Sequence, residues 1–339
     1  NNSFNGSFFG YVISGDIVNF TPAVENLMKE GKCGAEYMGK MLNSTFGKVT
    51  DIVYSNKGFI TNFAGDAFTA IFFDENSADD VLFIAQSIID VFSHYKDSKK
   101  FKLHIRLGIS SGVIDWGIVG NDSLSYFFKG EGINSAVRIQ QKGECDKIQF
   151  DKRFMALLSK ERKISENNSI YYIDPVKPKI IIPFKQKKLK NENDRFFPKI
   201  LSELNAEGEF RQVIPVFIRF PFATDKNTLD LIANKIIDES VKFNGYLNKI
   251  DFGDKGGISL VIFGAPYAHE DMIDRAIQFS MSLKDELKDF SISIGIDYGV
   301  SYAGFIGSQY WHEYTVIGDI VNTSARIATL TDNQFLVTS

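Results

Sequence analysis

Residues Arg106–Gly120 read RLGISSGVIDWGIVG, and residues Ser293–Gly307 read SIGIDYGVSYAGFIG. Laid side by side without a gap, Gly108, Gly112, Gly117 and Gly120 fall on Gly295, Gly299, Gly304 and Gly307. After one inserted residue the match resumes: GEGINSAVRI from Gly130 against GDIVNTSARI from Gly318. Single glycines mark turns or close approaches anywhere in a chain. Turn chemistry does not explain four in register followed by a shared Asn-x-x-x-Arg. The chain therefore reads as an internal duplication. The first copy covers 1–174 and the second 213–339, joined by a linker over 175–212. Pro175, Pro178 and the basic run Lys185–Lys190 mark that linker. Ile180–Ile182 and Phe196-Phe197 predict that it lies along the two copies.

Hydrophobic periodicity gives each copy the same order of elements. A strand (Phe9–Ser14; Val213–Phe220) leads into a helix (23–46; 226–241), then a strand pair (51–73; 244–264). An amphipathic helix (78–96; 269–288) precedes a long strand with a hairpin (102–128; 291–317). A short helix opens after Gly130 and after Gly318. The first copy continues to Tyr171, whereas the second stops in a strand at 334–339, so the second is expected to be the shorter. Strands and helices alternating with hairpins predict an α+β sandwich with mixed sheets.

Composition narrows the function. With 339 residues, 44% of them hydrophobic, two domains can each bury a core. No run approaches the roughly 18 apolar residues of a membrane span, and the first residues lack a signal-peptide core. A net charge of −4 without a basic field argues against nucleic acid as partner. Cys33 and Cys145 make no disulfide framework, which points to a reducing, cytoplasmic compartment. Four scattered histidines form no zinc cluster, so any metal is expected to be a hard cation held by carboxylates.

Two stretches supply such carboxylates. In GDIVNFT (Gly15–Thr21), Asp16 follows an apolar strand and precedes a helix whose N-terminal N–H groups suit phosphate. Alone it reads as a helix cap. In FAGDAFTAIF (Phe63–Phe72), Asp66 sits between two apolar runs, where hairpin-turn chemistry accounts for a Gly-Asp by itself. Together, two carboxylates at neighbouring strand ends suit a pair of divalent cations that activate a hydroxyl and stabilise a leaving phosphate.

Asp-Ile-x-x-Phe-Thr followed by Gly-Asp-x-x-x-Ala resembles the metal-binding half of the class III adenylyl and guanylyl cyclases. The second copy supplies EYTVIGDIVNTSARI (Glu313–Ile327), similar to the family's segment that places an Asn and an Arg on one helix face. Likeness covers nearly the whole chain. It is strongest to the soluble, bicarbonate-responsive adenylyl cyclases, through Asn248-Lys249, Asp254-Lys255-Gly256, Phe263-Gly264 and His312–Gly318. The resemblance implies two ferredoxin-like domains in a head-to-tail intramolecular pseudo-dimer, with one chain supplying both halves and no second chain needed. It implies ATP as substrate and cyclic AMP and pyrophosphate as products.

Carried over by position, Asp16, Asp66 and the Ile17 carbonyl hold two Mg²⁺ or Mn²⁺ ions. Asn322 orients the ribose and Arg326 stabilises charge growing on the α-phosphate, with Phe20 and Thr21 beside the phosphates. Lys249 and Thr315 match the purine-selecting pair. A lysine only donates, which suits adenine N1, and the threonine hydroxyl accepts from the adenine amino group. Guanine reverses that polarity, leaving unpaired groups at about 1–3 kcal/mol each.

The other interdomain pocket is expected to have lost this chemistry. Arg219 stands near the place of Asp16, and Phe127 takes the place of Thr315, while Asn134 and Arg138 remain. In the related cyclases that pocket receives bicarbonate through a lysine and an arginine. Arg138 matches the arginine, but the lysine's place is Asn62. Bicarbonate as effector stays an open expectation. The alternatives are a guanylyl cyclase, a catalytically silent nucleotide-binding pair and a purely structural module; the Gly-Gly-Asp/Glu-Glu-Phe signature of a diguanylate cyclase is absent.

Overall fold

The computed structural model describes residues 5–18, 20–96, 102–159, 162–177, 195–204, 208–221, 226–253, 256–330 and 333–338. The first half runs β1 (Asn5–Val18), α1 (Phe20–Met28), α2 (Gly31–Ser55), β2 (Gly58–Ala64), β3 (Ala67–Phe73), α3 (Ala78–Ser93), β4 (His104–Val119), β5 (Ser125–Lys129) and α4 (Glu131–Lys142). It closes with β6 (Ile148–Phe150), α5 (Lys152–Met155), β7 (Ile164–Asn167) and β8 (Ile170–Ile173). After α6 (Lys199–Glu203) come β9 (Glu209–Phe220), α7 (Lys226–Lys242), β10 (Tyr246–Gly253), β11 (Gly256–Phe263) and α8 (Met272–Glu286). The last elements are β12 (Ser293–Ile296), β13 (Gly299–Gly307), β14 (His312–Ile317), α9 (Asp319–Leu330) and β15 (Phe335–Val337).

The fold is α+β, built on two mixed sheets with one plan. The first orders its strands β2-β3-β1-β4-β6-β8-β7, with β5 paired to β4; the second orders them β10-β11-β9-β12-β15, with β13 and β14 continuing from β9. In both, the closing strand joins in parallel: β6 on β4, β15 on β12. Both edge hairpins carry an irregularity at the same place, between Ile60 and Asn62 on β2 and between Leu247 and Lys249 on β10. Thr61 thus matches Asn248, and Asn62 matches Lys249.

The glycine register has a packing cause. A Cβ on Gly108 would lie 2.1 Å from the Ala136 carbonyl of α4, and one on Gly295 would lie 2.3 Å from the Ser324 carbonyl of α9. Each helix therefore rests directly on strand backbone, at matched positions. Gly120 (φ +107°) and Gly307 (φ +126°) both end their strands in a conformation that side chains disfavour.

Several boundaries differ from the sequence expectation. The first helix is broken in two, because Gly31 at φ +57° ends α1 in a left-handed turn. Residues 51–55 continue α2 rather than starting a strand. The long strand of the second copy is interrupted after Ile296, where the Asp297 carboxylate accepts from the Tyr298 N–H and the Thr338 hydroxyl in place of ladder bonding. Strand β9 begins at Glu209, inside the expected linker. Ile180–Ile182 and Lys185–Lys190 lie outside the described residues. No helix among the described residues is long and apolar enough to cross a membrane. Both cysteines are exposed and unpaired.

The halves exchange hairpins. Tyr302, Ile306 and Ile317 from β13 and β14 join the core of the first half, where α2 packs on β13. Reciprocally, Val119 and Phe127 from β4 and β5 join the core of the second half, where α7 contacts β4 and β5 contacts β10. Each half buries the other's hairpin, which is a head-to-tail arrangement around a pseudo-twofold axis. Burying apolar surface at about 25 cal/mol per Å² on both hairpins makes this junction part of the fold rather than a loose contact.

Candidate active site

The two carboxylates predicted from the sequence come together on the first sheet. Asp16 lies near the end of β1, opposite Ala67 on β3 and Arg106 on β4. Asp66 follows Gly65 (φ +67°) in the two-residue turn between β2 and β3. The Ile17 N–H donates to the Asp66 carbonyl at 3.0 Å, which ties the two residues' backbones together. Burial, and after it the negative charge of Asp16, push the Asp66 carboxyl up to about 7. Burial also raises Asp16, while Arg106 and then Gln140 pull it back. A buried carboxylate whose proton affinity is raised by burial and by a second carboxylate is suited to a divalent cation, which displaces the proton and relieves the repulsion. Among the described residues no cluster of three or more His, Cys, Asp or Glu exists. Asp16 and Asp66 could hold a cation only together with ligands of another kind, such as backbone carbonyls, water or a phosphate.

Across from the turn stands α9. Phe20, Val24, Gly65 and Asp66 of the first half and Ile317, Gly318, Val321 and Asn322 of the second enclose a cleft of about 10 Å³. That is room for about one water, too little for a nucleotide. Phe20 is buried. The side chain of Thr21, like residues Asn19, Asp254 and Lys255, lies outside the described residues. Arg326, one turn beyond Asn322, is exposed and is not among the residues lining the cleft; neither is Asp16.

Lys249, one of the two residues expected from the sequence to select the purine, reaches the strand that leads into the same turn. Lys249 Nζ donates to the Phe63 carbonyl at 3.0 Å, three residues before Asp66. Thr315 is buried on β14 between Glu313 and Ile317, which share its face by strand alternation. Ile317 lines the cleft, and Glu313 accepts from the Phe63 N–H at 3.0 Å. The structure thus brings Asp16, Ile17, Asp66, Phe20, Lys249, Thr315 and Asn322 to one junction, with Arg326 at its rim.

The counterpart junction differs. Arg219 pairs with Ser293 across β9 and β12 as Asp16 pairs with Arg106, so a cation takes the place of the carboxylate. Phe127 packs on Phe252 with ring centroids 4.9 Å apart. Asn62 Nδ2 donates to Asp251 Oδ2 at 3.1 Å. Arg138 bonds Glu131 and Ser135 on its own helix, and Asn134 is half-buried there. A larger cavity of about 560 Å³ is lined by Lys249 and Glu313, by Asn62 and Phe127 of the counterpart junction, and by Phe196, Phe197 and Leu201 of the connecting segment; Lys249 and Glu313 face this cavity and do not line the small cleft at Asp66.

Sequence reasoning missed Glu313 as a site residue. Its signal was available: it alternates with Thr315 and Ile317, so it shares their inward face.

Comparison with known proteins identifies the family. Residues 11–180, half of the chain, match the family described as the adenylate and guanylate cyclase catalytic domain. Rabbit and human proteins named adenylate cyclase type 10 are each 23% identical over 386 residues, covering 94% of this chain and 24% of their own length. The chain thus spans about a quarter of the curated relatives it matches. A solved Pseudomonas aeruginosa structure, described as a class III adenylyl cyclase-like ATP-binding protein, superposes with a TM-score of 0.71 at 14% identity, over 99% of this chain and 84% of its own. That likeness establishes a shared fold across both halves. On the family match, the chain belongs to the class III cyclases, as a member of the adenylate and guanylate cyclase catalytic-domain family.

Proposed function

We propose that this chain is an adenylyl cyclase core that converts ATP to 3′,5′-cyclic AMP and pyrophosphate at one of its two interdomain junctions. The observation that carries the reading is the shared cleft in which Asp66 of one half faces Asn322 of the other. The facing pair is drawn from both halves, Asp66 from the first and Asn322 from the second. The working unit is then the single chain, with cyclase-type halves at 1–174 and 213–339 joined through 175–212.

The residues divide the work by chemistry. Asp16, Asp66 and the Ile17 carbonyl would hold Mg²⁺ or Mn²⁺, which supplies hydroxyl activation and charge neutralisation at the phosphates. Asn322 holds the ribose so that its 3′-oxygen points at the α-phosphorus. A bond forms between that oxygen and phosphorus as the 3′-OH loses its proton, and the bond to the pyrophosphate oxygen breaks. Arg326, exposed at the rim, closes onto the α-phosphate and opposes its growing negative charge. Phe20 and Thr21, at the start of α1, flank the phosphates. Lys249 donates to adenine N1 and Thr315 accepts from the amino group, which favours ATP over GTP.

An anion effector gains no support from the second junction. Glu131 already neutralises Arg138, and Asp251 occupies the Asn62 amide. The test of function is direct. The protein is incubated with Mn²⁺ and ATP, and in parallel with GTP, and cyclic product and pyrophosphate are quantified. Cyclic AMP is expected. Faster GTP turnover would make it a guanylyl cyclase, and nucleotide binding without product would make it a silent pair.

A further inference from the structure

Helix α4 rests on bare β4 backbone, and that contact carries its last turn to Asp16. A Cβ on Gly108 would lie 2.5 Å from the Gln140 backbone nitrogen. On the same pair of strands Ser14 stands opposite Gly108, and Asp16 opposite Arg106. Alternation puts these four residues on one face of the sheet, the face that α4 covers. Gln140 is buried, at 7% exposure, and its side-chain amide donates to the Asp16 carboxylate. The next residue contributes backbone: the Gln141 carbonyl accepts from Arg106 Nη1 at 3.0 Å. The last turn of α4 therefore engages both members of the Asp16–Arg106 cross-strand pair.

The matched turn of α9 is built differently. A Cβ on Gly295 would lie 2.5 Å from the Ala328 nitrogen, so Ala328 stands where Gln140 stands. Arg219 opposite Ser293 stands where Asp16 stands opposite Arg106. A methyl is enough to pack a helix on the glycine, as Ala328 does, whereas a buried amide costs stability unless it is hydrogen-bonded. The amide accompanies the carboxylate and is missing where the carboxylate is missing.

We propose that Gln140 is a positioning residue for the cation: its amide holds one oxygen of Asp16 so that the other is presented to the metal. This rests on the reading of Asp16 as a metal ligand. An uncharged donor suits the task. It fixes the carboxylate while adding no positive charge beside the cation, where a lysine or arginine would repel it. Arg106 also attracts Asp16, but the α4 C-terminus, whose carbonyls carry partial negative charge, takes one of its N–H groups.

The experiment uses the full chain with Mn²⁺ alone as the probe. Free Mn²⁺ is followed by electron paramagnetic resonance, from micromolar to millimolar, in wild type, Gln140→Met and Gln140→Ala. Methionine keeps the length and the packing without the donor, and alanine is the residue of the matched turn. Both variants should bind Mn²⁺ about 10- to 100-fold more weakly, the usual cost of losing the partner of a metal ligand. In parallel, cyclic-product formation from ATP is measured against Mn²⁺ concentration. The midpoint should rise by the same factor, and saturating Mn²⁺ should return kcat to the wild-type value. A merely structural role would lower turnover at every Mn²⁺ concentration without moving the midpoint, and that result overturns the proposal. So does an unchanged Mn²⁺ affinity in the variants, which leaves the cyclase reading intact. Gln140→Asn, one methylene short of Asp16, serves where neither variant folds, with the same loss expected. A wild type that binds Mn²⁺ but makes no cyclic product removes the cyclase reading alone, and the binding titration still decides the role of Gln140. A wild type that binds no Mn²⁺ brings down both.

Discussion

The two junctions between the halves are built from the same strands and helices, yet one gathers carboxylates around a turn and the other sets a cation and aromatic rings at the matched positions. At the first, Asp16, Asp66, Lys249 and Glu313 crowd around a turn facing Asn322, and burial raises the proton affinity of three of the four. At the second, Phe127 packs on Phe252, and Arg138 is neutralised within its own helix. The difference shows how a duplicated site divides its labour. The junction that lacks the carboxylate fills with aromatic rings, which contribute about 0.5–1.5 kcal/mol per pair beyond area burial. The other keeps buried carboxylates that cost stability and are suited to a cation and a phosphate.

The largest effect expected from this contrast is at Asp66. Asp66→Asn should lower turnover by at least ~10³-fold, since it removes an ionised ligand at the reacting phosphates. Asn322→Ala and Arg326→Ala should each cost on the order of 10²-fold, read in kcat rather than KM. Assays of cyclic product with Mn²⁺ separate these from folding defects if circular dichroism is unchanged. Turnover surviving Asp66→Asn would move catalysis away from this cleft.

Much of this asymmetry was legible before any coordinates. The glycine register exposed the duplication because a helix rests on bare backbone at Gly108 and again at Gly295, a constraint that only glycine meets. The sequence alignment that set Arg219 at the place of Asp16 agrees with the strand register, in which both stand opposite matched residues of the next strand. Local interruptions were hidden. Alternation of apolar residues does not reveal the irregularities at Thr61 and Asn248, nor the break after Ile296, because these depend on which partner strand or side chain takes the backbone bonds. Alternation with Thr315 puts Glu313 on the inward face, but its bond to β2 was hidden for a related reason. Its partner on β2 is 250 residues away in sequence, and nothing near Glu313 announces a strand edge waiting there.

A smaller effect sharpens the comparison through the base. Replacing Lys249 with Glu should lower the ATP-to-GTP preference roughly ten- to a hundredfold, because an acceptor then faces adenine N1 and leaves both unpaired. Parallel rate measurements on the two nucleotides check this. Unchanged preference would place base reading elsewhere.

The retained carboxylates also predict a pH signature for stability. Asp66 and Glu313 have folded-state values of about 7, against about 4 in an unfolded chain. Between those values the folded protein binds more protons than the unfolded one, so stability falls as pH rises. The contribution is fully present below about 4 and is lost on passing about 7. In chelator the Tm should drop by a few degrees from about pH 5.5 to about pH 8. Asp66→Asn and Glu313→Gln should each flatten part of that slope. Adding Mg²⁺ at the alkaline end should restore the Asp66 part, because a bound cation replaces the proton.

The smallest effect belongs to the second junction. Arg138 pairs with Glu131 while both side chains are 41% and 48% exposed, and such surface pairs contribute about 0–1 kcal/mol. Arg138→Ala should therefore change turnover by less than about twofold and Tm by little. Added bicarbonate at fixed pH should leave the rate alone, because Glu131 already occupies the guanidinium and Asp251 presents negative charge where Asn62 reaches. Stimulation by bicarbonate that disappears in Arg138→Ala would reverse this reading. It would mean that the Arg138–Glu131 bond opens to admit an anion, and that the junction without carboxylate chemistry controls the one that has it.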